Sequence, residues 1–461
     1  LLSLLLSQMA LAQTEPRLGV NTTDPQHTLD VNGAINIAPD SAYQINGIPV
    51  LQTQVVNGFT NFYLGPEAGL NNTTGNRNHF SGYQAGLNNT TGVRNYFSGF
   101  EAGKNNTTGL LNHFSGYQAG QKNTTGGYNH FSGYRAGAAN TTGGYNHFSG
   151  YEAGRSNTTG DRNYFSGFLA GEKNTTGEFN HFVGYLAGTA NTTGNGNYFS
   201  GYQAGRNTTT GNNNHFSGYE AGFWNTTGSE NVYIGYQAGA FFSFTNAIAI
   251  GYQARVRGDN TVTIGNSSHT SIGGYQPWSN LSDGRFKREV AEDVPGLDFV
   301  TRLRPVSYRV DWAALQAFLK GEEIENGKTA QDQPRETGFI AQEVEEVSQA
   351  LGYQFNGIIQ PQSENDHYQL SYATFVVPLV QAVQEQQELI EALQAENARL
   401  SQTQQHKDHE QQIQIEALQA ENSHLIQQNT HNQAYFKQLE SRLQALEGNQ
   451  PTVATQLPTK Q

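Results

Sequence analysis

Ser282 and Lys287 stand in the stretch Leu281-Ser282-Asp283-Gly284-Arg285-Phe286-Lys287, and a serine within reach of a lysine is a nucleophile beside a base. A serine hydroxyl attacks a carbonyl only once its proton has somewhere to go. A lysine accepts it only if its pKa falls from about 10.4 toward 7 or 8, at roughly 1.4 kcal/mol per unit, through desolvation or a neighbouring cation. On this reading Ser282 attacks the peptide bond preceding it, so the scissile bond is Leu281–Ser282 and Lys287 is the general base. A Ser-x4-Lys spacing alone is a weak signal, because it arises by chance in many chains.

Three other groups of residues invite a chemical reading, and each has a plainer one. His79, His113, His130, His147, His181 and His215 recur at one position of a repeat, but Tyr96, Tyr164 and Tyr198 fill the same position and replace imidazole poorly in a metal site. Packing is the preferred reading. The recurring Asn-Thr-Thr at Asn72, Asn89 and Asn123 matches a glycosylation sequon, yet turn geometry accounts for it. Glu343, Glu345 and Glu346 read as the solvated face of a helix rather than acid–base carboxylates. No residue pattern calls for a cofactor or a metal.

The elements that must position the dyad differ sharply on its two sides. The chain has 461 residues, 52 glycines, no cysteine and a formal charge of −13, a composition typical of repeats or fibres. The acidic balance and the lack of a Lys/Arg run exclude a nucleic-acid surface, and no stretch reaches the roughly 20 apolar residues of a membrane span. Residues 1–12, ending in Ala10-Leu11-Ala12, read as a signal peptide truncated at its start, which implies a secreted or cell-surface protein of bacterial source. Residues 13–60 form short strands separated by Asn-Gly and Asp-Pro turns, a pattern that resembles the entry segment of secreted bacterial fibre proteins.

Residues 61–270 repeat. Gly65, Gly82, Gly99, Gly116 and their successors to Gly235 recur every 17 residues in eleven copies. Asn always stands four before the glycine, Phe or Tyr two before and Ala three after. A fixed period without insertions predicts one coil of a parallel β-solenoid per repeat. Each coil is expected to hold a strand NxFSGYxA and an Asn-Thr-Thr-Gly corner whose glycine takes positive φ. At about 4.8 Å per coil, eleven coils extend roughly 50 Å. The last coils, around Gly251 and Gly265, resemble the head repeats of trimeric autotransporter adhesins, which implies a left-handed β-roll in a three-chain bundle. The face of the coil that points inward stays open, since the positions one and three before glycine are Ile and Val at the end but mostly Ser and His or Tyr in the middle.

After a linker at 271–281, Ser282-Asp-Gly-Arg-Phe-Lys-Arg-Glu-Val290 resembles the SDxRLKxNI opening of the self-cleaving intramolecular chaperone at the C-terminus of phage endosialidase tailspikes and tail fibres. The likeness continues through Leu303–Tyr308, Thr337–Glu346 and Tyr368–Tyr372. It implies a small α+β chaperone domain over 282–375 that trimerises the fibre before it and then cuts at the serine, with Ser282 as nucleophile and Lys287 as base. Phe286 for Leu and Arg288-Glu289-Val290 for xNI depart from the family pattern and leave the dyad intact.

Within this region 312–335 reads as a polar insertion and 336–347 as an amphipathic helix. Over 376–447 apolar residues from Leu379 and Val383 to Leu443 and Leu446 follow a heptad, predicting a trimeric coiled coil. A stutter falls at 401–412, between two copies of EALQAEN. Residues 448–461 read as a disordered tail.

The expected protein is a secreted homotrimeric fibre or adhesin matured by self-cleavage, and any enzyme activity is a single turnover on itself. The solenoid's expected partner is a cell-surface or glycan ligand. A surface adhesin with an uncut trimeric stalk and a phage tail fibre are the alternatives.

Overall fold

The computed structural model describes residues 18–20, 29–31, 41–276, 278–320, 334–362, 364 and 366–448. The expected signal peptide at 1–12 and all but the first residue of the expected tail at 448–461 lie outside them. Internal contacts divide the chain into two compact units whose first boundary falls between Leu281 and Ser282.

The first unit is a parallel β-solenoid. Strands of three residues, His79–Ser81, Tyr96–Ser98 and onward to Val262–Ile264, pair in exact repeat register, His147 with Tyr164 and Phe148 with Phe165. An antiparallel meander, Ala42–Ile45, Ile48–Val56 and Phe59–Leu64, joins the same sheet at its N-terminal end. Its two hairpins turn at Asn46-Gly47 and Asn57-Gly58, all four with positive φ, the geometry that matches the twist of paired strands. The meander covers the first coil: Gln54 Oε1 accepts from Asn61, Asn72 and Tyr63, giving the array the cap that repeats need.

The aromatic two before each glycine fills the core. Phe80, Phe97 and each successor to Phe216 are fully buried with the Ala three after glycine, and neighbouring rings such as Phe131 and Phe148 stack with centroids 4.8 Å apart. That spacing is the strand spacing itself, so each ring is covered by its copies above and below. The open question of which face points inward is thereby answered: the residues one and three before glycine point outward.

Two columns of buried asparagine run beside the rings. Asn89 Nδ2 donates to Asn72 Oδ1 at 2.7 Å and to the Gly92 carbonyl at 3.1 Å, while Asn78 Oδ1 accepts from the Asn95 backbone N–H at 2.9 Å. A buried amide must have its partners, and here the adjacent coils and the coil's own corner carbonyl supply them. The sequon asparagines are these buried amides, which explains the Asn-Thr-Thr recurrence by packing and leaves their nitrogens enclosed.

Two local expectations are corrected. The strand ends one residue before glycine rather than running through NxFSGYxA, because Gly82 takes φ +130° and Gln84 φ 54°, turning the chain out of the sheet. The corner glycine does not take positive φ. It is required by crowding, since a Cβ at Gly92 would strike Asn89 Oδ1 and the Gly109 carbonyl of the next coil.

The second unit is a small α+β region followed by one long helix. Phe299, Val344, Phe355 and Phe375 form its core, with Phe339, Val347 and Leu370 against them. The expected helix over 336–347 is instead a strand, Glu336–Gly338, paired with Val306–Tyr308, and a helix, Ala341–Ala350. Ile340 is the helix N-cap, so Val344 and Val347 alone carry its apolar stripe. Part of the predicted insertion at 312–335 forms helix Trp312–Lys320, which groups with the first unit. The final helix runs unbroken from Val376 to Glu447, 72 residues, through the stutter. Its heptad residues Leu379, Val383, Leu393 and Leu418 are all exposed. No helix among the described residues is long and apolar enough to cross a membrane.

Candidate functional site

The segment that opens the second unit is built around a single tight turn. Residues Gly284–Phe286 form a 3-10 turn, and Asp283 caps it by accepting from the Arg285 backbone N–H at 2.9 Å. The same carboxylate holds the Arg285 guanidinium, with Asp283 Oδ2 2.6 Å from its Nη2. These hydrogen bonds keep the Asp283 carboxyl below its usual range, as expected for a charged acceptor of several N–H groups. At the other end the Lys287 N–H donates to the Gly284 carbonyl. The turn therefore brackets Ser282 and Lys287 and bends their side chains together.

Lys287 Nζ donates to Ser282 Oγ at 3.0 Å, a distance at which a proton passes directly between them. Both residues are exposed in the single chain, and Leu281 before them is 82% exposed. Asp283 and its pairing with Arg285 are the elements that sequence reading missed. The signal was present as an acidic residue preceding Gly-Arg, a capped-turn pattern.

The family model described as chaperone of endosialidase matches residues 282–353. The C-terminal region carries a chaperone-of-endosialidase domain. Its match begins at Ser282, at the boundary between the two compact units. No curated protein matches the chain significantly. A solenoid ahead of a chaperone domain and a long helix fits a tail-fibre-like protein.

The glutamates of the chaperone domain have other partners. Glu343 pairs with Arg304, and Glu345 accepts from the Tyr368 hydroxyl at 2.9 Å and from Gln360. These bonds tie helix Ala341–Ala350 to neighbouring segments, which is a structural role. Glu346 is exposed at the helix surface.

In the solenoid the histidine ladder is brought into contact but not into a ligand cluster. His113, His130 and His147 stack face to face with centroids 4.6–4.7 Å apart, so their nitrogens lie side by side rather than converging. Tyr96 lies tilted against His113, Tyr164 stacks on His147, and Tyr164 and Tyr198 enclose His181.

Burial lowers the pKa of His113, His147 and His181, and the neighbouring His130 lowers the first two further. A base whose folded pKa lies below its unfolded 6.5 takes up protons first in the unfolded chain. Its stabilisation is complete above pH 6.5 and is lost as pH falls through the folded value. The solenoid's melting temperature is therefore expected to drop between pH 7 and 5, above the carboxylate range. The drop should be smaller in a His113→Tyr/His147→Tyr/His181→Tyr variant followed by circular dichroism. An unchanged melting temperature across that range contradicts the assignment.

Proposed function

We propose that the chain is a homotrimeric fibre whose chaperone domain drives assembly and then cuts the Leu281–Ser282 bond, releasing itself from the solenoid. The observation that carries this reading is the 3.0 Å contact between Lys287 Nζ and Ser282 Oγ, beside the first of the chain's crossings from one compact unit to the other.

The chemistry balances within these residues and one water. Ser282 Oγ attacks the Leu281 carbonyl carbon as its proton passes to the neutral Lys287 amine. The tetrahedral centre collapses by breaking the bond to the Ser282 nitrogen, which takes the proton from Lys287 and leaves as an amine. Leu281 is then held as an ester on Ser282 Oγ, and water hydrolyses the ester to the Leu281 carboxylate and the free hydroxyl.

Lys287 must be neutral to begin, and it is exposed in one chain. Burial by neighbouring copies favours the neutral amine, so cutting awaits assembly. The exposed heptad of Val376–Glu447 supports that assembly, since apolar residues at this spacing require partner helices.

The destination is the outside of the cell, where the freed solenoid acts as a fibre or adhesin toward a surface or glycan ligand. The test is a denaturing gel of the assembled protein. The native chain should separate into two fragments and the Ser282→Ala chain should stay whole. Two identical whole chains would overturn the reading in favour of a permanent stalk.

A further inference from the structure

The solenoid departs from its own repeat at its C-terminal end, and it departs toward aromatic residues. The position six after the strand glycine is Asn, Lys, Ala or Ser in nine coils, from Asn71 to Asn207, but Trp224 and Phe241 in the last two. The spacing between glycines then shortens from 17 to 16 at Gly251 and to 14 at Gly265. Trp224 adds nothing to the core rings, since it is 51% exposed.

These residues line a cavity of about 810 Å³, within the roughly 300–1,000 Å³ of small-ligand sites. All of its lining belongs to the first compact unit, Trp312 and Leu315 of helix Trp312–Lys320 included. Two aromatic faces in it are unused. Trp224 meets Phe223 at an interplanar angle of 80°, so no ring lies flat on the indole. Tyr252 ends the column of outward rings that stand one after the glycine. Tyr236 stacks on one of its faces at 5.2 Å, and the next coil carries Asn266, not a ring, at that position. Tyr252 is accordingly 56% exposed, against 40% for Tyr202 within the column.

The polar groups of the cavity form a chain. Gln253 Nε2 donates to Gln237 Oε1 at 2.9 Å, and Gln237 Nε2 donates to Glu220 Oε2 at 2.7 Å. Each amide nitrogen keeps a second hydrogen for a ligand, and Ser267 adds a hydroxyl. The arginines are already engaged. Arg255 donates to the Gln237 backbone carbonyl with its guanidinium 4.7 Å from the Phe241 ring centre, and Asp366 favours the charge of Arg257. A wholly apolar ligand would leave Glu220 and the amides without partners, at a cost, and an anion would meet the Glu220 carboxylate. A saccharide suits both sets of groups: the C–H faces of its rings lie against aromatic faces, and its hydroxyls donate to a carboxylate and accept from amides.

We propose that this cavity binds a neutral saccharide, with Trp224 and Tyr252 as ring platforms and Glu220, Gln237 and Gln253 reading hydroxyls; the assignment rests on the glycan ligand proposed above and gives it a site.

The chain has three tryptophans, and two of them, Trp224 and Trp312, line the cavity. A Trp278→Phe substitution therefore leaves an emission that reports on the cavity alone. The full chain carries that change and Ser282→Ala, which keeps every lining residue in one polypeptide. It is applied to immobilised neutral oligosaccharides of gluco, galacto and manno configuration, with sialylated and uronic-acid glycans alongside, and the tightest binder is titrated in solution. Preferential retention on a neutral glycan, with a change of emission on titration, is expected. Trp224→Ala and Tyr252→Ala should each weaken binding at least about tenfold. Tyr202→Ala should not, because both faces of Tyr202 are covered by Tyr185 and Tyr219, and it controls for damage to the ring column. Binding of a neutral glycan that survives both cavity variants overturns this site and leaves the glycan reading standing. Preference for the acidic glycans overturns the ligand class. Retention of no glycan at all overturns the site together with the reading beneath it.

Discussion

Replacing Lys287 by methionine is expected to leave the assembled chain uncut, slowing release of the chaperone domain by at least about 10²-fold, the usual contribution of a positioned base. Methionine matches the length of the lysine stem and keeps its packing, so loss of cleavage without loss of the trimer isolates the amine. Lys287→Arg sharpens the test. Arginine preserves the positive charge and could still donate to Ser282 Oγ, but it does not give up its proton in a protein. It should fail as completely as methionine. Near-native cutting by Lys287→Arg, followed as fragment formation over time, would mean that the 3.0 Å contact orients the serine and that the base lies elsewhere.

The solenoid is expected to fail most severely at the glycine that follows each strand. Gly150 has φ +137°, and an alanine Cβ there would lie 2.7 Å from the Gly167 carbonyl carbon and closer still to its oxygen. The obstacle is backbone of the next coil, which cannot rotate away as a side chain would. The left-handed conformation adds its own strain. Gly150→Ala should destabilise the solenoid by about 3–5 kcal/mol. Because coils are stabilised by their neighbours, it should also open a protease-sensitive site near the middle of the array. Ser149→Ala, beside it on the outer face, should cost less than about 1 kcal/mol. Denaturant unfolding compares the two, and equal stabilities would contradict the stacking account.

The period of 17 was legible because each coil reuses the same backbone, and any residue needed once is needed in every copy. Phe148 and Asn146 could be read as structural on that ground. What the repeat could not reveal was direction. Phe148 and His147 recur equally well, and only the strand geometry turns the first inward and the second outward. The corner glycines illustrate the same limit: Gly92 looks like a turn glycine, but its constraint is the Gly109 carbonyl of the next coil, a contact that exists only after stacking.

The dyad was legible as a motif and not as a shape. Ser282 and Lys287 come together because Asp283 caps the turn between them and clasps Arg285, and nothing in a Ser-x4-Lys spacing requires that turn. The helix boundary at Ala341 was missed because Thr337 and Gly338 pair with Ser307 and Val306 across a short ladder. That tertiary pairing takes the residues before Ile340 out of the helix.

The most direct test of the account is the mass of the assembled native chain after denaturation. The account predicts two species, one of them a C-terminal fragment whose first residue is Ser282 with a free amine. A single species of the uncut chain, identical to that of Ser282→Ala, would contradict it, as would a fragment beginning at any other residue.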